Sequence, residues 1–318
     1  MVVVDPTAKQ QPALERAVWY ATRAGASLEL FVCDYDPALA ADPSIDRTTL
    51  EKSRASRILD HTRRLKRLAQ DAAKQGVATA VEARWDYPLH EGIARKATES
   101  AVDLVMKDTH YHPALHRSVF SNTDWNLIRT SRIPLWLVKP RAVAGRPIVI
   151  AAVDPLHKRD DQGTLDGEIL SAAKAVQTAV GGELHVFHAF DIGAALAASG
   201  DAISAPLALP IAEITETLKR RHREAVWALT DKHAVERRDV HVCQGVTRER
   251  LLTLADELKA DLVVMGAVSR SGLRRLFLGS TAEQILDHLR CDVLILNAGG
   301  VGLSRAGDYR GADSHPAA

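Results

Sequence analysis

The chain has 318 residues, which at roughly 100 to 200 residues per domain favours two domains. Forty-one basic residues against forty acidic ones leave a net charge of +1, so no positive excess stands ready to neutralise a phosphate backbone, and no nucleic acid is expected as a partner. A 46% hydrophobic and 25% charged composition suits a folded core, excludes intrinsic disorder, and contains no 18-residue apolar run that would span a membrane.

In chain order, the opening Val2-Val3-Val4-Asp5-Pro6 reads as a short buried strand that turns acidic before any signal-peptide core could form. Three widely spaced cysteines, Cys33, Cys243 and Cys291, support neither a disulfide framework nor a zinc cluster. A reducing cytoplasm fits them, and all three are expected as small buried apolar residues. His90-Glu91 resembles the start of a zinc-protease helix, but Ala94 stands where the second histidine is required. The segment that starts Asp103-Leu104-Val105-Met106 and ends Pro134-Leu135-Trp136-Leu137-Val138 contains a loop crowded with His110, His112 and His116. Three imidazoles can bind a transition metal, but this spacing matches no metal site and predicts a polar exposed loop.

After Lys139-Pro140-Arg141, with Gly145 and Pro147 close behind, the pattern begins again. Val149-Ile150-Ala151-Ala152-Val153-Asp154-Pro155 repeats the opening, and Asp261-Leu262-Val263-Val264-Met265 repeats Asp103 onward at a shift of 158 positions. A shift of that size duplicates a whole domain. The expected boundaries are 1–143 and 144–298, with a tail over 299–318 expected to be disordered. In the second half, strands are expected at 148–153, 183–189, 239–243, 261–265 and 292–296, and helices at 164–180, 211–234, 247–258 and 280–289. Alternating strands and helices predict the α/β class, with two tandem doubly wound parallel sheets. Such sheets bind ligands beyond the carboxyl ends of the strands, where the winding reverses. A long apolar connection over 192–210 suggests either packing against the other half or a groove for an apolar or acyl-bearing small molecule.

The strand ending Met265 is followed by Gly266-Ala267-Val268-Ser269, then nine residues from Arg270 to Leu278, then Gly279-Ser280-Thr281 opening a helix. A glycine at a strand end lets a ligand approach, and a Gly-Ser-Thr helix start offers free N–H groups and hydroxyls, a combination that suits phosphate. The pattern resembles the G-x-x-G, nine residues, G-[S/T] signature of the universal stress protein family, with Ser269 in place of the second glycine. Phe277 to Asp292, Thr123-Asp124-Trp125 and the duplicated layout are similar to the tandem-domain E-type members. The resemblance implies an adenine nucleotide alpha hydrolase-like fold with five strands per sheet in the order 3-2-1-4-5, cytoplasmic location, a stress-response role and dimeric pairing of domains.

Carried over position by position, the resemblance places Ala152, Val153, Asp154 and Ala189 at adenine and ribose. It places Met265, Gly266, Val268, Ser269, Gly279, Ser280 and Thr281 around ribose and phosphates. By their charge alone, Arg270, Arg274 and Arg275 either add to phosphate binding or, as charged residues on an exposed loop and helix usually do, face solvent. ATP or another adenine nucleotide is thus the expected ligand of the second half, with no metal required by the sequence. In the first half the same shift puts Asp108, Tyr111, Ala114 and Ser121 at the loop positions, with no glycine left, so that half is expected not to bind a triphosphate there. Its expected role is to pair with the second half within the chain. Homodimerisation is a further expectation. No catalytic residue emerges, because Asp154 lacks a base, a metal partner or a motif lysine. The expected activity is therefore regulatory or protective binding, with any ATP hydrolysis weak and incidental. The alternatives are an interaction scaffold with two degenerate pockets and an apolar small-molecule carrier.

Overall fold

The structure, a computed structural model, describes residues 1–40, 46–112, 117–143, 145–156, 165–193, 211–267, 280–297, 299 and 303. In the first half, β1 (Val2–Val3) leads to α1 (Pro12–Ala24), β2 (Leu28–Asp34), the short α2 (Pro37–Ala40) and α3 (Arg47–Ala73). Then follow β3 (Thr79–Trp85), α4 (Leu89–Glu99), β4 (Val105–Asp108), the hairpin β5 (His110–His112) and β6 (Arg117–Val119), α5 (Asn122–Thr130) and β7 (Leu135–Val138). The second half contains β8 (Ile148–Ala152), α6 (Leu165–Val180), β9 (Glu183–Phe190), α7 (Ile211–Thr230), β10 (Val240–Gln244), α8 (Thr247–Leu258), β11 (Leu262–Gly266), α9 (Ser280–His288) and β12 (Asp292–Leu296).

Local chemistry accounts for the ends of several of these helices. Pro12 opens α1 where its missing N–H costs nothing, and Gly25 closes it at φ +65, a left-handed conformation that glycine adopts without a Cβ penalty. Asp46 caps α3 by accepting from the Thr49 N–H at 2.9 Å. The helix expected over 211–234 stops at Thr230 and tightens into a 3-10 turn over Asp231–His233, with Ala234 in the left-handed region.

Each half has the strand order 3-2-1-4-5. In the first this is β3-β2-β1-β4-β7, and in the second β10-β9-β8-β11-β12, all pairs within a half being parallel. The two sheets are not separate. β7 and β12 pair antiparallel, with Leu294 opposite Trp136, so all ten strands form one sheet. Strands covered on both faces should be near-continuously apolar, and Leu135–Val138 and Val293–Leu296 are buried throughout. One face packs Leu14, Ala17, Leu30, Leu65, Ile169, Leu170 and Val226, and the other packs Phe31, Ile93, Ile128, Phe187, Leu251 and Leu286.

The seam carries a buried polar cluster. Asp292, with no exposed surface, accepts from the Arg16 guanidinium, from Trp136 Nε1 at 2.9 Å and from the Lys139 N–H at 3.0 Å. Arg141 reaches Asp261 at 2.8 Å, and Asn297 donates to the carbonyls of Ile128 and Ser131. Burial lowers Lys139 to a pKa of about 8, and its ammonium donates to the Leu289 carbonyl. Cys33 and Cys291 are buried as expected, whereas Cys243 lies half-buried on the edge strand β10. Among the described residues no helix is long and apolar enough to cross a membrane.

Candidate functional site

The winding of each half reverses between its first and fourth strands, β1 with β4 and β8 with β11. In the second half the register pairs Ala152 with Met265, so Ala152, Val153, Asp154, Met265 and Gly266 meet at one end of the sheet. Val153 donates to the Phe187 carbonyl at 3.0 Å, which brings the end of β9, with Ala189, alongside. Val153 and Met265 are buried, whereas the Asp154 side chain is 58% exposed. The Asp154 N–H is held by Asp166 Oδ1 at 3.0 Å, at the start of α6. Six of the expected binding residues are thus brought together. Val268, Ser269 and Gly279 lie outside the described residues, as do Arg270, Arg274 and Arg275. Ser280 and Thr281 open α9.

Gly266 also packs against α6. A Cβ there would lie 2.8 Å from Leu165 Cδ2 and 3.3 Å from Ile169 Cδ1. The missing side chain faces α6, so the glycine also serves the close approach of strand and helix.

Sequence reasoning missed the side chains beside Ala189. His188, 1% exposed, donates from Nδ1 to the Val153 carbonyl at 3.0 Å, and its Nε2 lies 2.7 Å from His222 Nδ1. The bond to a carbonyl fixes the proton on His188 Nδ1, leaving Nε2 to accept from His222. The His222 ring stacks on Phe190 with centroids 4.7 Å apart at 13°. Burial, with His188 next to it, holds His222 below the ordinary histidine range, so the stack is uncharged at neutral pH. Two histidines 34 residues apart, one on β9 and one on α7, have no sequence signature. The alternation of β9 indicates only that His188 shares a face with Val186 and Phe190.

The corresponding end of the first half is charged. Val4 donates to Phe31 as Val153 does to Phe187, which aligns Asp34 with Phe190. Asp34 accepts from Arg57 and lies 2.7 Å from His61 Nε2. Burial pushes its carboxyl up, and the bonds from Arg57 and His61 more than offset this, leaving it below the usual range. Asp108 occupies the position of Gly266, and its Oδ1 accepts from the Ala13 N–H at the start of α1. Among the described residues its Oδ2 is buried without a hydrogen-bond partner. Burial raises the Asp108 pKa to about 6.

Ser121, at the position of Gly279, caps α5 in a reciprocal box with Asp124: Ser121 N–H and Oγ donate to Asp124 Oδ2, and the Asp124 N–H donates to Ser121 Oγ. Lys107 Nζ sits 2.7 Å from Asp124 Oδ1. Both helix N-termini facing this cleft are therefore supplied with anions by the chain itself. In the second half the same shift puts Gly266 for Asp108, Ala282 for Asp124 and Met265 for Lys107.

Comparisons with known proteins agree with this duplicated architecture. The model of the universal stress protein family matches residues 1–139 and 161–297. Universal stress protein E of Salmonella typhi is 31% identical over 93% of this chain and 93% of its own length. The protein of the same name from Escherichia coli K12 is 30% identical over 93% and 92%. Among solved structures, a functionally unknown protein from Pseudomonas aeruginosa PAO1 superposes with a TM-score of 0.70 at 24% identity, covering 93% of this chain and 91% of that one. A universal stress protein from Archaeoglobus fulgidus superposes at 0.60 and 17% identity, covering 94% and 98%.

Proposed function

The chain belongs to the universal stress protein family, and we propose that it is a cytoplasmic stress-response protein that binds an adenine nucleotide, ATP or AMP, in the cleft of its second half. The observation that carries this reading is the contrast between the halves at equivalent positions. Where the first half places its own carboxylates on two helix N-termini, through Asp108 and Asp124, the second half has Gly266 and Ala282. Helix N-termini carry unpaired N–H groups and a partial positive charge and favour anions such as phosphate; α6 has Asp166 and Glu168 in its own first turn, but at the strand end facing it Gly266 stands where the first half has the Asp108 carboxylate. At the other end of the cleft, the exposed Asp154 carboxylate beside the end of β9 can accept from ribose hydroxyls.

The domains correspond to residues 1–143 and 144–298, and the first serves the second by extending its sheet. Binding rather than turnover is the activity. Among the described residues, the groups gathered around Asp154 hold and orient but include no activated nucleophile.

The test is to denature freshly purified protein and identify the released small molecule by mass spectrometry, for wild type and Gly266→Asp. The expected result is stoichiometric ATP, ADP or AMP from wild type, and at least tenfold less from a variant that carries the first half's carboxylate and keeps a wild-type circular dichroism spectrum. Protein that releases no nucleotide and binds none when ATP is added back would overturn the reading. An acyl-bearing species in its place would favour the carrier.

A further inference from the structure

A second pair of histidines in this half lies away from the nucleotide cleft and is unexplained by it. His185 on β9 and His241 on the edge strand β10 project to the sheet face that α8 covers, with His185 Nδ1 and His241 Nε2 3.2 Å apart. Two imidazole nitrogens bound to one tetrahedral ion at about 2.0–2.1 Å each stand roughly 3.3 Å apart, so the pair already has the bite of a chelate. In this structure the contact is a hydrogen bond, and an ion would replace its proton with little movement of either ring.

Three features around the pair favour a cation. The other nitrogen of His185, Nε2, faces Glu183 Oε2 at 3.8 Å, the carboxylate-behind-histidine arrangement that orients metal-bound imidazoles. Asp239 and Glu257 both act on His241 as negative charges. Two neighbouring arginines are engaged with carboxylates: Arg146 faces Glu183 at 3.4 Å, and Arg238 faces Glu236 at 3.0 Å and Asp239 at 3.9 Å. His241 is only half-buried, so an ion can reach it.

We propose that His185 and His241 form a two-histidine site for a divalent transition-metal ion of the Zn2+ or Cu2+ class at the open edge of the sheet. Among the described residues no three His, Cys, Asp or Glu side chains are grouped for an ion, so water completes the coordination. Imidazole ligands select Zn2+ and Cu2+ over Mg2+ or Ca2+, and Cu2+ binds more tightly than Zn2+. The site is independent of the nucleotide reading.

The experiment uses the full chain with His110, His112 and His116 changed to alanine, which removes the histidine-rich loop as a competing ligand set. Calorimetric titration of this metal-free protein with CuSO4 and ZnSO4 should show one equivalent of each bound. His241→Ala, on the half-exposed edge, should weaken binding at least tenfold, and Glu257→Gln by a few-fold. Electron paramagnetic resonance of the copper complex should report two imidazole nitrogens, falling to one in His241→Ala. His185→Gln should match His241→Ala in affinity, and a folded His241→Ala keeps the test decisive if the more buried variant fails to fold. No saturable binding in the parent, or binding unchanged by His241→Ala, would overturn the site.

Discussion

The two halves share a fold and differ in what they do with the same two helix ends. In the first, the carboxylates of Asp108 and Asp124 fill the places where an external anion would bind, and Asp34, Arg57 and His61 fill the base end with charge. In the second, glycine, alanine and an aromatic stack stand at those places. A duplicated domain can thus lose a ligand by supplying the ligand's charge from its own side chains. The fold accommodates them because each carboxylate has a donor, the Ala13 N–H for Asp108 and Ser121 with Lys107 for Asp124.

The comparison depends on both halves being held in one sheet, and the largest effect is expected where that hold is concentrated. Asp292 has Pro134 as its counterpart under the 158-residue shift, so the seam is asymmetric. Asp292→Ala leaves the Arg16 guanidinium and the Trp136 indole N–H buried without their acceptor. Removing one member of a buried charged network costs about 3–5 kcal/mol. Urea unfolding should show that loss. A loss under about 1 kcal/mol would mean that β7 and β12 are held by their apolar pairs alone.

The next effect separates the two clefts by pH. Asp108 has a folded pKa of about 6 against a reference of 3.8, so between those values the native state binds more protons than the unfolded one. Stability contributed by this group is therefore present at low pH and lost as pH rises through about 6. A shift of this size corresponds to about 3 kcal/mol. Relative to Asp108→Asn, wild-type protein should gain up to that amount on going from pH 7 to pH 4, measured by denaturant unfolding at both. Parallel pH dependence in the two proteins would show that the buried Oδ2 finds a partner in solution.

Much of this was legible in sequence. The repeat of Val149 to Pro155 on the opening residues, and of Asp261 onward on Asp103, located equivalent strand ends, and the register of Val4 and Val153 bears them out. The family and the strand order followed from the spacing of Gly266, Gly279 and Ser280 and the resemblance it carried. Contacts made across the chain were not legible. Apolar periodicity shows which face of β12 is buried but not that Asp292 receives Trp136 from 156 residues away, and it places His185 and His241 on one face without giving their separation. Asp108 was read as a charge that repels phosphate, and the structure adds that it takes the place of an anion on α1. A second reason for Gly266 was not legible either, because only the packed structure shows Leu165 where its Cβ would be.

The smallest effect sharpens the contrast at the second helix end. Ser121→Ala removes the hydroxyl that accepts the Asp124 N–H and bonds Asp124 Oδ2, but leaves Asp124 with the Ser121 backbone N–H and Lys107. Losing an N-cap hydroxyl costs about 1 kcal/mol, and the remaining partners should hold the loss to that value in thermal or urea unfolding. Asp124→Ala goes further, giving α5 the residue type that α9 has at Ala282. If the first half lost its nucleotide site only because its helix ends carry their own anions, that substitution together with Asp108→Gly should let inorganic phosphate or AMP protect the first half against unfolding. Absence of protection would assign the loss to the loop between β4 and α5 instead, where Tyr111 and Ala114 stand in place of Ser269 and Gly272.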